Sequence, residues 1–168
     1  RYASKLQVPT INILAGRQSI HADLLHCLET LAKNLRFAST EMSSVGITPV
    51  FEIINGIDMP RFMIQTMAQA QEMLEAVNHP ALKIQFDCYH LAMMDEHIIA
   101  SFLENLPHIA HIQFADYPNR HEPGTGNIQF DQFFEYVALS DYQGFIGAEY
   151  RPSTSTTDSL KWYQPFVQ

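Results

Sequence analysis

Four short segments end in a residue that can hold a cation or move a proton: Glu52 in FEIIN, Asp87 in QFDCYH, Gln113 in HIQFAD and Glu149 in GAEYRP. Taken singly, a carboxylate or amide at such a place more often caps the next helix or meets solvent. Their joint occurrence reverses that preference. Carboxylates gathered at close range resist ionising together, and a cation is the natural way to hold them. Three carboxylates with one amide oxygen form a hard, oxygen-rich donor set that favours Mg²⁺ or Mn²⁺, with Zn²⁺ and Co²⁺ still compatible.

Such residues need a scaffold that brings them together, and the hydrophobic pattern supplies one. Short β-branched or apolar runs at Thr10 to Leu14, Pro49 to Ile53, Lys83 to Asp87, Ile109 to Phe114 and Phe145 to Glu149 predict strands. Between them, helical periodicity predicts helices over Ile20 to Ser44, Ile64 to Val77, Met93 to Asn105 and Phe130 to Leu139, with a last one at Ser155 to Tyr163. This alternation is that of repeated βα units on a parallel sheet, an α/β fold, and in a (β/α)₈ TIM barrel the strand ends converge on one face. Side chains alternate along a strand, so Gln85 shares a face with Asp87 and His111 shares one with Gln113. Five strands do not close a barrel. The opening RYASKLQ reads as the end of a helix already under way, as though the chain continued upstream.

After the fourth strand, the loop from Asp116 to Asn127 gathers Asp116, Arg120, His121 and Glu122 ahead of PGTG. Glycine and proline fix its course, and Arg120 offers a planar fork suited to a carboxylate or a vicinal diol, although a solvated charged loop has the same composition. His90, three residues past Asp87, reads either as a core histidine bonded to backbone or as a substrate contact beside a strand end. Cys88 faces away from Asp87 and reads as a small buried hydrophobe; the aromatics of QFDQFFEYV and Trp162 read as packing.

Composition narrows the classes. The 168 residues are 46% hydrophobic and 17% charged, enough for one globular domain with a real core. A net charge of −8, from 18 acidic against 10 basic residues, works against a nucleic-acid partner. Two widely separated cysteines, Cys27 and Cys88, form no zinc or redox motif and fit a reducing cytoplasm. Apolar runs are too short for a membrane span, there is no signal-peptide layout, and GxxxxGK and GxSxG are absent. The chain reads as soluble, without a membrane partner.

In order and spacing, FEIIN, QFDCYH, HIQFADYPNRHEPGTGNI and GAEYRP resemble the motifs of the hydroxypyruvate isomerase family, within the xylose isomerase-like TIM barrels. The resemblance covers essentially the whole chain as the last five βα units of a barrel, residues 1–168 forming one partial domain. It implies a divalent metal at Glu52, Asp87, Gln113 and Glu149, with Glu52 and Glu149 as the acid/base pair. Hydroxypyruvate would interconvert with 2-hydroxy-3-oxopropanoate (tartronate semialdehyde) through an enediolate. It places His90 and Arg120 against the substrate, a small hydroxy-oxo acid or sugar, with Glu122 orienting Arg120. Departures from the family pattern are Ile53 in place of proline, Arg151 in place of lysine and Asn127 in place of glutamate, besides the absence of three N-terminal βα units.

Related chemistries on this barrel are 2-oxo-tetronate isomerisation and ketose 3-epimerisation, although Gln113 stands where epimerases usually carry histidine. A barrel endonuclease would need more histidines and a basic surface. A reading of another class is a non-catalytic fragment acting by association, since open sheet edges invite pairing with another chain, including a second copy in a homo-oligomer.

Overall fold

The computed structural model describes residues 2–166. Five strands, β1 (Thr10–Asn12), β2 (Thr48–Glu52), β3 (Lys83–Asp87), β4 (Ile109–Phe114) and β5 (Phe145–Ala148), form one sheet in the order β1-β2-β3-β4-β5, every pair parallel. Helices α1 (Tyr2–Lys5), α2 (Leu24–Ser43), α3 (Met67–Val77), α4 (Cys88–Ala92), α5 (Ile98–Asn105), α6 (Phe130–Leu139) and α7 (Thr156–Ser159) alternate with the strands. The result is a partial TIM barrel, with β1 and β5 as its two edges. No helix among the described residues is long and apolar enough to cross a membrane.

The strands lie within two residues of the sequence expectation at their ends. β1 stops at Asn12 instead of Leu14, and β5 stops at Ala148, although the Glu149 amide still donates to the Phe114 carbonyl at 2.9 Å. Two helices start later than their apolar pattern because a capping side chain decides the first turn. Asp23 accepts from the His26 amide ahead of α2, and Thr66 accepts from the Gln69 amide ahead of α3. The expected helix from Met93 to Asn105 is corrected most. The Asp87 carboxylate caps the chain directly after β3, so a short helix runs from Cys88 to Ala92, and α5 begins only at Ile98. Between them Asp95 adopts a left-handed φ of 60°. The last expected helix, Ser155 to Tyr163, divides into α7 and a 3₁₀ segment, Lys161–Phe166.

Hydrophobic burial orients the sheet. Phe51, Phe86 and Ile112 are fully buried beneath the helices. Phe86 meets Phe102 of α5 edge-on at 6.0 Å and stacks with Phe133 of α6 at 6.2 Å, and Phe102 and Phe133 lie 5.5 Å apart. Burying such a side chain contributes roughly 1.5–3 kcal/mol, with further gain from aromatic pairing. The polar residues of the same strands must then point to the opposite, inner face. Cys88 also lies fully within the core, and burial pushes its thiol well above its ordinary value, as a structural cysteine requires.

Candidate active site at the strand ends

Register sets the heights of the inward residues. Glu52 pairs with Gln85, Asp87 with Gln113, and Gln113 with Gly147. Between β3 and β4 the register shifts, Ile84 facing Ile109 and Gln85 facing His111, so Ala110 is an extra residue on β4. The two pairs Gln85–His111 and Asp87–Gln113 therefore form successive inward layers. Glu149, two residues past Gly147, follows the same inward parity one step higher.

Glu52 is 5% exposed and accepts a hydrogen bond from Asn12 Nδ2 at 2.7 Å. Burial, reinforced by repulsion from Asp87 and Glu149, raises its pKa from 4.5 to about 7, while bonds from Asn12 and Gln85 oppose the rise. Asp87 is 1% exposed; burial pushes its pKa up to about 6. Its Oδ1 accepts from the amides of Tyr89 at 2.8 Å and His90 at 3.3 Å, so Asp87 caps α4 as well as facing the site. That cap carries His90 to the site on the first turn of α4. Buried and beside Arg120, its imidazole is lowered to about 4 and is neutral at ordinary pH.

Ligand atoms of Glu52, Asp87 and His90 all lie within 4.8 Å of one another, and all three residues are buried. Two desolvated carboxylates resisting joint ionisation make a donor set suited to a divalent cation. Gln113 adjoins this group through Gln85, whose Nε2 donates to Gln113 Oε1. Glu149 stands apart. Its carboxylate pairs with Arg120 at 3.0 Å and its side chain is 52% exposed, although its charge is felt at both Glu52 and Asp87.

Arg120 also lies over the Tyr89 ring, 5.0 Å from its centroid, a cation–π contact. Its loop is organised by Asp116: Oδ2 accepts from the Gly124 and Gly126 amides at 2.9 Å, and Oδ1 from Tyr117 at 2.9 Å and Ile128 at 3.1 Å. A Cβ on Gly126 would stand 2.0 Å from the Tyr117 carbonyl oxygen, so this position admits only glycine. Glu122 faces Ser153, whose amide and hydroxyl both donate to its carboxylate, holding that carboxyl below its ordinary value. It thereby ties the Arg120 loop to the segment after β5.

Several contributors escaped the sequence reading. Asn12 carries no charge, and its Oδ1 is buried without a partner. Asn55 and Asp58 lie in NGIDMP, whose composition is that of a loop, yet Asn55 is fully buried, its Nδ2 donates to Asp58 at 3.2 Å, and Asp58 also accepts from the Tyr89 hydroxyl at 2.7 Å. An acidic residue three places past the Asn that follows β2 was the available signal.

Buried acids at the C-terminal ends of parallel strands stand where TIM-barrel enzymes place their active sites. The chain belongs to the xylose isomerase-like TIM barrel family, which it matches over residues 1–166. It is 36% identical over 168 residues to the hydroxypyruvate isomerase of Escherichia coli K12, covering 99% of this chain and 64% of that protein. To the 2-oxo-tetronate isomerase of Cupriavidus necator it is 34% identical, again with 99% and 64% covered. The crystal structure of an AP endonuclease, family 2, from Brucella melitensis superposes with a TM-score of 0.94 at 30% identity, over 99% of this chain and 64% of that one. D-psicose 3-epimerase from Clostridium cellulolyticum H10 shares the fold, with a TM-score of 0.77 at 19% identity over 95% of this chain and 56% of its own. The chain thus spans about 64% of the length of the curated relatives it matches.

Proposed function

We propose that the protein is a metal-dependent isomerase of small hydroxy-oxo acids, interconverting hydroxypyruvate and tartronate semialdehyde. The observation that carries this reading is the buried group of Glu52, Asp87 and His90 at the strand ends of a barrel related to hydroxypyruvate isomerase. Glu52, Asp87, Gln113 and Glu149 would hold the cation, Mg²⁺ or Mn²⁺ by the hardness of the donors. When bound, it supplies Lewis-acid stabilisation of negative charge on the substrate oxygens.

The remaining chemistry belongs to the chain. Glu52, buried at its strand end, takes the proton from the substrate carbon, producing an enediolate. Glu149, on the opposite edge of the site, returns a proton to the adjacent carbon, while the hydroxyl proton of the first carbon passes to the oxygen of the second, so that carbonyl and hydroxyl exchange places. Arg120, braced over Tyr89, holds the substrate carboxylate, and Glu122 steadies its loop. His90 meets a substrate oxygen. The acidic charge balance favours a small substrate over a phosphate backbone.

Identity to 2-oxo-tetronate isomerase is nearly as high, which supports a second substrate class handled by the same proton transfer. The test is turnover of hydroxypyruvate and of a 2-oxo-tetronate by the full-length protein, with Mg²⁺ or Mn²⁺, a chelator control, and Glu52→Gln and Glu149→Gln. Metal-dependent turnover of hydroxypyruvate lost in both variants is the expected result. Turnover of the tetronate alone moves the assignment to the second class, and no turnover of either by metal-loaded protein overturns both.

A further inference from the structure

The network behind His90 determines which of its ring nitrogens carries the proton. Asn55 follows β2, three residues past Glu52, and its Oδ1 accepts from the backbone amides of Ile57 at 3.1 Å and Asp58 at 2.7 Å. Those two donors fix the rotation of the amide, because they can bond only to oxygen. Nδ2 is thereby turned the other way, where one hydrogen serves Asp58 Oδ2 at 3.2 Å and the other faces His90 Nδ1 at 2.7 Å. The Asn55 backbone N–H also points at Nδ1, at 3.4 Å.

An amide nitrogen has hydrogens to give and no lone pair to offer, so His90 Nδ1 must accept. An accepting Nδ1 is unprotonated, which makes the ring neutral and leaves its single proton on Nε2. Asp58 closes the chain, since its carboxylate takes hydrogens from both Asn55 and the Tyr89 hydroxyl and has none to return. A ring nitrogen bearing hydrogen cannot ligate a cation, and Nδ1 is already occupied. Proximity to Glu52 and Asp87 is therefore compatible with His90 beside a metal centre but not with His90 bound to one.

We propose that Asn55 is a positioning residue that locks His90 in its Nε2–H form, making His90 a hydrogen-bond donor to a carbonyl, hydroxyl or enediolate oxygen of the substrate instead of a metal ligand. The catalytic consequence rests on the isomerase reading; the tautomer does not. A neutral donor aimed at the reacting oxygen stabilises charge that develops there without competing with Glu52 for its proton.

The experiment reads the ring nitrogens directly, by long-range ¹H–¹⁵N correlation on metal-free protein carrying ¹⁵N-histidine, with the His90 signals identified by their loss in His90→Gln. An unprotonated Nδ1 with a protonated Nε2 is expected; a protonated Nδ1 in the native protein overturns the proposal. In Asn55→Asp an acceptor replaces the donor and Nδ1 gains a proton, whereas an unchanged ring removes Asn55 from the positioning role. Should that variant fail to fold, the native spectrum alone decides. Pulsed EPR of the Mn²⁺-loaded native protein should show no nitrogen coupling that disappears in His90→Gln, and such a coupling would overturn the donor assignment. In turnover, Asn55→Asp lowers kcat on the order of a hundredfold, and a loss confined to KM removes the donor from the reacting oxygen. An Nε2–H pattern in a protein inactive on both substrates refutes the isomerase and leaves the tautomer standing.

Discussion

Glu52 and Glu149 are the same residue at corresponding places, each at the C-terminal end of an inward-facing strand register, yet their surroundings differ sharply. Glu52 sits on a strand with neighbours on both sides, is almost wholly buried, and takes up a proton near neutrality. Glu149 sits past an edge strand, is 52% exposed at its side chain, and rests on Arg120. Sheet position, more than residue type, decides how far a carboxylate is desolvated and so how readily it holds a proton. If the site is assembled as proposed, Glu149 acquires its working environment only when its side of the barrel is covered.

The largest effect that could break this contrast is on turnover. Glu52→Gln should reduce kcat by about a thousandfold, since an amide keeps the shape and loses the base; a loss under about tenfold would show that Glu52 is not the proton acceptor. Next comes the pH dependence of the metal-free protein. The folded state raises the Glu52 pKa from 4.5 to about 7, so it binds more protons than the unfolded state between those values. Stability is fully present below pH 4.5 and falls as pH rises through about 7, by on the order of 3 kcal/mol from this group. Thermal melts across that window should show the decline, Glu52→Gln should flatten it between about pH 6 and 7, leaving at lower pH the part due to Asp87, and saturating Mn²⁺ should offset it. Binding of the cation should itself release protons below pH 7, measurable as buffer-dependent heats in calorimetry.

Smaller effects sharpen the comparison from the side of packing. Phe86→Ala, in the core behind β3, should cost about 3–5 kcal/mol. Phe145→Ala on β5, where the residue is 70% exposed, should stay within about 0.5 kcal/mol in denaturant titrations. Comparably small, Glu149→Gln should change stability by less than about 1 kcal/mol, because it breaks only a surface ion pair with Arg120. A large destabilisation there would mean that the edge is less exposed in solution than Glu149 indicates.

The parts that were legible in the sequence are those governed by short periodicities. Alternation along β3 and β4 placed Gln85, Asp87, His111 and Gln113 on one face, and the Ala110 register shift did not disturb this because all four lie beyond it. Helix boundaries were less legible, since Asp23, Thr66 and Asp87 compete for backbone amides that hydrophobic periodicity does not register. Asp87 also shows that the capping and site-facing readings of a strand-end carboxylate are not exclusive. Asn12 and Asn55 were illegible for another reason: each matters through which hydrogen it offers to a distant residue, Glu52 forty positions away and His90 thirty-five.

Asp116 leaves a different kind of consequence. Both its oxygens are engaged by amides of its own loop, so the arc that presents Arg120 keeps its shape without a ligand to mould it. Variation at the exposed Asn119 next to Arg120 is thus uncoupled from the fold of the arc. An outward side chain on this arc can change without disturbing the amides that hold it in place.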